Sequence, residues 1–186
     1  YESAATRMDA YMPTVAPGLL QTRDYARAVL ERAAPHLDPP AIEKQVELRL
    51  ERQRHLRLRA QPPVQWYVLP ETVLHRQVGT AATMRNQLDS LLRATEDSLV
   101  EVHVIPFSAG VYEAVELSTV TLFQFSPPDD DVVAIERVRY TDFLDRPGPV
   151  AKYTEVLRKL TDYCLDQDRT RTFIEHIQRK KWQDDR

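Results

Sequence analysis

Residues 64–106 read VQWYVLPETVLHRQVGTAATMRNQLDSLLRATEDSLVEVHVIP. The first six residues, 64–69, and a later segment, 100–105, are rich in β-branched and aromatic side chains, which favour strands. Between them, Thr80 can cap a helix whose apolar residues recur on one face: Met84, Leu88, Leu91 and Leu92. A strand, a helix and a strand in this order form a βαβ unit, so the two strands should be parallel and joined by a right-handed crossover.

The segments on either side of this unit also carry strand and helix patterns. Near the N-terminus, Met8, Ala10 and Met12 alternate with polar residues, which is typical of a strand, and we place this strand at the edge of a sheet. The remaining elements are predicted as helices at 23–34, 41–59, 150–164 and 168–182, and as antiparallel strands at 119–125 and 132–138.

These elements predict a mixed α/β (α+β) fold. Its centre is a mixed sheet of about four strands that includes the βαβ unit, preceded by a helical N-terminal third and followed by two C-terminal helices. The chain contains no internal repeat and no low-complexity segment. We therefore interpret residues 1–186 as a single domain, with a helical part at 1–62 and a sheet-containing part at 63–186.

The composition argues against several classes of function. The 186 residues carry 25 Lys and Arg against 28 Asp and Glu, a net charge of −3, so the chain lacks the basic field expected of a nucleic-acid-binding protein. The single cysteine, Cys164, cannot form a disulfide framework or a zinc-finger set and favours a reducing compartment. No apolar run approaches the roughly 20 residues that span a bilayer. We therefore expect a cytoplasmic protein with no membrane partner.

Residues with catalytic or metal-binding chemistry are sparse. His103 stands near Glu101 on one face of a predicted strand, so it is either a general base oriented by a carboxylate or part of a solvated sheet face. Cys164 lies on an apolar helix face, and we interpret it as a buried small hydrophobe rather than a nucleophile. The acidic run at 129–131 lacks the spacing of a calcium loop and is interpreted as a polar turn. We expect neither a metal nor a cofactor.

A more specific pattern is VAPGLLQTRDYARAVL at residues 15–30, which we call the signature segment. Further motifs follow it in order: RLERQ at 49–53, YVLPETVL at 67–74, VG at 78–79, MRNQL at 84–88 and VHVIPF at 102–107. Together they resemble the C-terminal domain of Xre-type helix-turn-helix regulators from high-GC Gram-positive bacteria, over about residues 2–177. The chain departs from that pattern at 111–117 and at 134–136.

The resemblance implies an antitoxin-like transcription regulator. Such proteins carry an N-terminal DNA-binding helix-turn-helix, which is absent from this chain, and their genes often accompany a small partner protein. We therefore expect a domain that senses a small molecule or a small partner protein, contacts DNA only through a missing N-terminal domain, and forms a homodimer with the help of its C-terminal helices. The alternative is a stand-alone relative that acts as an enzyme on small molecules and uses a pocket around Glu71 and His103, although no sequence motif favours catalysis.

The candidate ligand- or partner-binding residues come from these motifs and from the sheet topology. They are Tyr25, Arg52, Gln53, Glu71, Gln87, His103 and Phe107. In a sheet with parallel strands, a pocket is expected beyond the carboxyl ends of the strands, here near 69–71 and 106–107. Two interpretations of Glu71 and Gln87 stay open. They cap buried backbone groups, or they line a pocket together with Arg52 and Gln53.

Overall fold

The computed structural model describes residues 1–126, 131–137 and 140–182. Within these residues one sheet contains the strands β1 (Arg7–Tyr11), β2 (Val64–Pro70), β3 (Val100–Ile105), β4 (Val120–Gln124), β5 (Val132–Glu136) and β6 (Thr141–Leu144). The α-helices of the same ranges are α1 (Arg23–Ala33), α2 (Pro39–Arg57), α3 (Glu71–His75), α4 (Ala81–Ala94), α5 (Pro147–Lys159) and α6 (Gln167–Lys181).

Residues 64–106 contribute two of the three parallel strands of the sheet. β2 pairs in parallel with β3 on one side and with β1 on the other, so the strand–helix–strand prediction for this segment is confirmed. β1 also pairs antiparallel with β4, and the sheet continues through β5 to β6. The predicted antiparallel pairing of β4 with β5 is confirmed as well. The strand order is therefore β3-β2-β1-β4-β5-β6.

The expected sheet of about four strands is wrong, because the sheet has six. The predicted N-terminal strand is present as β1, but it lies in the centre of the sheet instead of at its edge, so the N-terminal third is not only helical. The charged residues of β1, Arg7 and Asp9, give it the composition of an edge strand, but they pair with each other at 2.7 Å. β6 is only four residues long and alternates between exposed and half-buried side chains, which is too short a pattern to predict a strand.

Two helix starts show how the local sequence sets these boundaries. At the start of α2, the Asp38 carboxylate accepts a hydrogen bond from the Ala41 N–H at 2.9 Å. At the start of α4, the Thr80 hydroxyl accepts one from the Thr83 N–H at 3.1 Å, as the sequence predicted. Gly79, directly before this cap, has a φ of +68°, a left-handed conformation that favours glycine.

The helices cover the two faces of the sheet unequally. On the first face, α1, α3, α4 and α6 pack over β1–β3 in a core that includes Tyr67, Leu69 and Val102. On the second face, α5 packs over a core that includes Tyr11 and Leu122. The first face of β4, β5 and β6 lies beside α2 and the N-terminal residues, and a cavity opens there.

The apolar stripes of the two C-terminal helices face the sheet of their own chain. α5 buries Val150 and Leu157, and α6 buries Ile174 and Ile177. The homodimer that we expect through these helices stays a prediction. None of the helices in the described residues has both the length and the apolar character that crossing a membrane requires.

Candidate functional site

A cavity of about 630 Å³ opens on the first face of the sheet, between the antiparallel strands and α2. We call it the sheet cavity. Its floor is built from alternate residues of the strands, which point to the same face: Met8, Ala10, Tyr67, Thr121, Phe123, Ala134, Glu136, Thr141 and Phe143. A concave, mostly apolar site of about 300–1,000 Å³ is typical of small-molecule binding.

The start of the signature segment forms one wall of the sheet cavity. The wall residues are Val15, Ala16, Pro17, Gly18, Leu19 and Gln21. Apart from a 3₁₀ turn at Gly18–Leu20, this stretch has no regular secondary structure. Its backbone N–H and C=O groups therefore need partners from other parts of the chain.

Two of the predicted site residues supply such partners. The Tyr25 hydroxyl accepts a hydrogen bond from the Ala16 N–H at 3.1 Å. The side-chain amide of Gln53 donates to the carbonyl oxygens of Gly18 at 2.8 Å and Gln21 at 2.9 Å. Tyr25 and Gln53 are both buried, so they position the wall from behind.

Gln87 supports the other end of the same stretch. Its side-chain oxygen accepts a hydrogen bond from the Thr22 N–H at 2.8 Å, and its amide donates to the Leu20 carbonyl oxygen at 2.9 Å. Gln87 is 1% exposed. These contacts fit the first interpretation of Gln87, the capping of buried backbone groups.

Two arginines from α2 supply the positive charge of the sheet cavity. Arg52, one of the predicted site residues, lines the cavity and forms a two-point ion pair with the Glu2 carboxylate, with Nε 2.6 Å from Oε2. Arg49, which is not among the predicted site residues, is half-buried and donates to the side-chain oxygen of Gln21. Burial and the neighbouring Arg52 lower the pKa of Arg49, and Glu136 partly offsets this effect. Arg49 is therefore a partly desolvated cation that is hydrogen-bonded to a neutral group.

The N-terminal residues 1–3 close one side of the sheet cavity. The Tyr1 ring packs against Phe143, with ring centroids 5.0 Å apart. The Arg59 guanidinium donates to the backbone oxygen of Glu2 at 3.1 Å. This short segment is therefore held in place by the aromatic contact of Tyr1, by the hydrogen bond from the Arg59 side chain to the Glu2 backbone, and by the ion pair of Glu2.

Glu71 and Phe107 lie at the carboxyl ends of β2 and β3, where the topology predicted a pocket. Glu71 Oε2 accepts a hydrogen bond from the Phe107 N–H at 2.7 Å, and Glu71 Oε1 lies 3.1 Å from His75 Nε2. The Phe107 ring is exposed and stacks on His75, with centroids 5.8 Å apart. Lys181 donates to the His75 carbonyl oxygen at 2.8 Å. These contacts join the two strand ends to each other and to α6, away from the lining of the sheet cavity.

His103 lies on the edge strand β3 and faces the second side of the sheet. Its Nε2 is 3.2 Å from Glu101 Oε2, and its Nδ1 is 3.1 Å from the Leu165 carbonyl oxygen. Its ring contacts Trp66, with centroids 5.9 Å apart. His103 and Glu101 lie next to each other, as the sequence predicted, but each ring nitrogen of His103 already has a partner within the protein. The structure therefore does not bring Arg52, Glu71, Gln87 and His103 together in one pocket.

The remaining candidates have other surroundings. Cys164 is half-buried against the core of the second face, and burial raises the pKa of its thiol to about 12. Asp129 and Asp130 of the predicted acidic turn lie outside the described residues, whereas the Asp131 carboxylate accepts a hydrogen bond from the Phe125 N–H at 3.1 Å. Across the described parts of the chain, no group of three His, Cys, Asp or Glu side chains is placed to hold a metal ion.

The predicted site residues do not include Arg49 or the apolar floor of the sheet cavity. A signal for Arg49 was present, because the RLERQ motif places Arg49 and Arg52 three residues apart, on one face of a helix. The floor residues Met8 and Phe143 belong to β1 and β6, short strands whose positions in the sheet the sequence pattern does not reveal.

A family model described as a domain of unknown function, DUF5753, matches residues 1–176. The matched range includes the signature segment, both arginines and the whole sheet. No curated protein and no solved structure matches the chain. Since the family model covers nearly all of the chain, the chain belongs to the DUF5753 family.

Proposed function

We propose that this chain is the small-molecule-sensing domain of a helix-turn-helix transcription regulator, and that the sheet cavity is its binding site. One observation carries the proposal. The signature segment, on which the resemblance to these regulators rests, builds a wall of a cavity of about 630 Å³. Binding would act on a linked DNA-binding domain through contacts that differ between two conformational states. A regulator of this kind works in the cytoplasm, where its DNA lies.

The lining of the sheet cavity supports a small molecule as the effector. Met8, Phe123 and Phe143 offer apolar contact area, while Arg49 and Arg52 are convergent polar groups that can orient a ligand. A small partner protein, the other effector that we expected, stays a separate prediction. The enzyme alternative relied on Glu71 and His103, and the two side chains are engaged by different partners on different parts of the fold.

A dye-binding experiment tests the site. N-phenyl-1-naphthylamine is an uncharged apolar dye that becomes fluorescent in an apolar site, and we expect the chain to bind it at a single site. Thr121→Trp places a large side chain on the cavity floor, so binding should be lost in this variant. Ser108→Trp changes an exposed residue outside the cavity lining and should bind like the unmodified chain. Equal binding by both variants would contradict the assignment of the site.

A gel-shift experiment tests the regulatory role. The chain is net acidic, with a charge of −3, and the resemblance places sequence recognition in another domain. We expect weak binding of duplex DNA without sequence preference at physiological salt. Tight binding of one duplex over a scrambled duplex would contradict the role of a sensing domain.

A further inference from the structure

We propose that the sheet cavity binds a small organic anion with an aromatic or other apolar body, and that the anionic group of this ligand takes the place of the Glu2 carboxylate beside Arg52 and Arg49. The inference rests on the proposed function and adds the chemical class of the ligand. Three structural observations carry it: the surroundings of Tyr1 and Glu2, the partner of Arg49, and the exposure of the Glu2–Arg52 pair.

The first observation is that adjacent residues of the chain place an aromatic ring and a carboxylate at the cavity. The Tyr1 ring packs against Phe143 at 5.0 Å and stacks on Phe123 at 5.9 Å. The neighbouring Glu2 carboxylate forms the two-point pair with Arg52. An aromatic body attached to an anionic group has the same two features, so it can make the same contacts.

The second observation concerns the charge of Arg49. This side chain is half-buried in the cavity lining, and no carboxylate of the described residues lies within ion-pair distance of it, although the Glu136 carboxylate of the cavity floor acts on it at longer range. Its hydrogen-bond partner, Gln21, is neutral. A partly buried cation without an ionic partner is stabilised when an anion enters its surroundings, because desolvation of the charge is then compensated. The spacing of Arg49 and Arg52 on one face of α2 lets both guanidinium groups act on one bound anion.

The third observation is that solvent reaches the Arg52 end of the Glu2–Arg52 pair. The Arg52 side chain is 52% exposed, whereas that of Glu2 is 23% exposed. Water therefore reaches the guanidinium and screens the pair on that side, so a ligand anion that forms the same two contacts can compensate for the loss of Glu2. A ligand carboxylate or sulfonate can occupy the same planar guanidinium fork. Glu2 is therefore an internal competitor for the anion site.

The experiment compares two dyes that share one apolar body. 8-Anilinonaphthalene-1-sulfonate carries a sulfonate, and N-phenyl-1-naphthylamine has the same ring system without the charge. Both are titrated into the chain at low salt and followed by fluorescence. We expect the sulfonate dye to bind about tenfold more tightly or better, because a charge-assisted contact typically contributes that much to affinity.

Matched variants locate the anion site. Arg49→Gln should weaken binding of the sulfonate dye about tenfold while leaving the uncharged dye unaffected, which also shows that the variant is folded. Glu2→Gln should strengthen binding of the sulfonate dye by about two- to fivefold, because the internal competitor is removed. The controls are Arg54→Gln and Glu51→Gln, exposed residues of α2 outside the cavity lining, and neither should change binding.

The outcomes separate this inference from the proposed function. The inference is contradicted if the chain binds both dyes with equal affinity. It is also contradicted if Arg49→Gln lowers the affinity for both dyes to the same extent. In either case the cavity is still a binding site. If Glu2→Gln binds the sulfonate dye with the same affinity as the unmodified chain, the proposal that the ligand anion replaces the Glu2 carboxylate is contradicted. If neither dye binds, or if Thr121→Trp binds both, the proposed function and this inference are both contradicted.

Discussion

Gln87, in the middle of α4, accepts a hydrogen bond from the backbone N–H of Thr22 at 2.8 Å, directly before the first residue of α1. The same amide donates to the Leu20 carbonyl oxygen at 2.9 Å. One buried side chain thus satisfies a donor and an acceptor of the backbone where the cavity wall meets α1. The position of the wall depends on a residue far away in the sequence.

Loss of this side chain should destabilise the fold. In Gln87→Ala, the half-buried Thr22 N–H loses its partner and the Leu20 carbonyl keeps only the Ser90 hydroxyl at 3.4 Å, so we expect the free energy of unfolding in urea to fall by about 1–3 kcal/mol. Gln45→Ala makes the same change at an exposed position of α2 and should stay within about 0.5 kcal/mol of the unmodified chain. Equal stability of the two variants would contradict the capping role of Gln87.

Gly79 should tolerate no side chain. It adopts a φ of +68°, and a Cβ atom at this position would lie 3.0 Å from the Thr83 hydroxyl oxygen. We expect Gly79→Ala to lower the free energy of unfolding by about 1–3 kcal/mol. A Cβ at Gly18 meets no atom within 4 Å, so Gly18→Ala is the control and should be neutral or slightly stabilising. Thermal melts that rank the two variants in the opposite order would refute this account.

The thiol of Cys164 should react slowly in the folded chain. Burial raises its pKa to about 12, so little thiolate is present at pH 8. We expect labelling by a disulfide reagent such as DTNB to be about a hundredfold slower, or more, than in urea-unfolded protein. Ser108→Cys adds a thiol at an exposed position and should react rapidly in the folded state. Equal rates before and after unfolding would show that Cys164 is accessible.

Asp9 should make stability depend on pH. Burial raises its pKa, and the Arg7 ion pair at 2.7 Å only partly opposes this shift. The folded chain therefore holds the Asp9 proton to a higher pH than the unfolded chain does. As pH rises from the ordinary aspartate pKa of about 3.9 through the raised folded pKa, this group makes the fold progressively less stable.

Asp9→Asn removes this dependence. We expect the stability of the variant relative to the unmodified chain to increase as pH rises through that window and then to level off. The measurement is urea denaturation at a series of pH values, with Asp145→Asn as the exposed control. A stability difference that stays constant with pH, or that shrinks as pH rises, would contradict the effect of burial on Asp9.

A homodimer stays a prediction from the resemblance to regulators that bind two half-sites. Since Ile174 and Ile177 are buried within the chain, a dimer that uses α6 would have to use its exposed face. Charge reversal there, by Arg179→Glu, should then weaken association. Light scattering at tens of micromolar measures the mass, and a monomer in the unmodified chain would contradict the prediction.

The sequence predicted those elements whose pattern is long enough to be read locally. The helix α4 and the strands β2 and β3 have clear periodicities, and the cap Thr80 marks a helix start. The central place of β1 could not be predicted, because it depends on pairing with partners distant in the chain, and local alternation is the same at the centre and at the edge of a sheet.

The candidate site was predictable in part for a similar reason. Arg52 lines the sheet cavity, and Tyr25, Gln53 and Gln87 hold its wall, so four of the residues predicted from the family motifs lie in or around this cavity. Glu71 was predicted as a site residue because a carboxylate that is buried at a strand end needs a hydrogen-bond partner. That partner is the Phe107 backbone, and no local pattern encodes such a contact between two strand ends.

The central position of β1 also determines when the protein can fold. Arg7 pairs with Val64 on one side and with Gln124 on the other, so β1 leaves the ribosome before both of the strands with which it pairs. At about 5–20 residues per second, this interval is of the order of ten seconds. During this time the unpaired edges of β1 are open to other nascent chains. Pairing between strands so distant in the chain slows folding, so we expect the sheet to assemble only after β4 is synthesised, and chaperone binding to the β1 segment would raise the yield of folded protein.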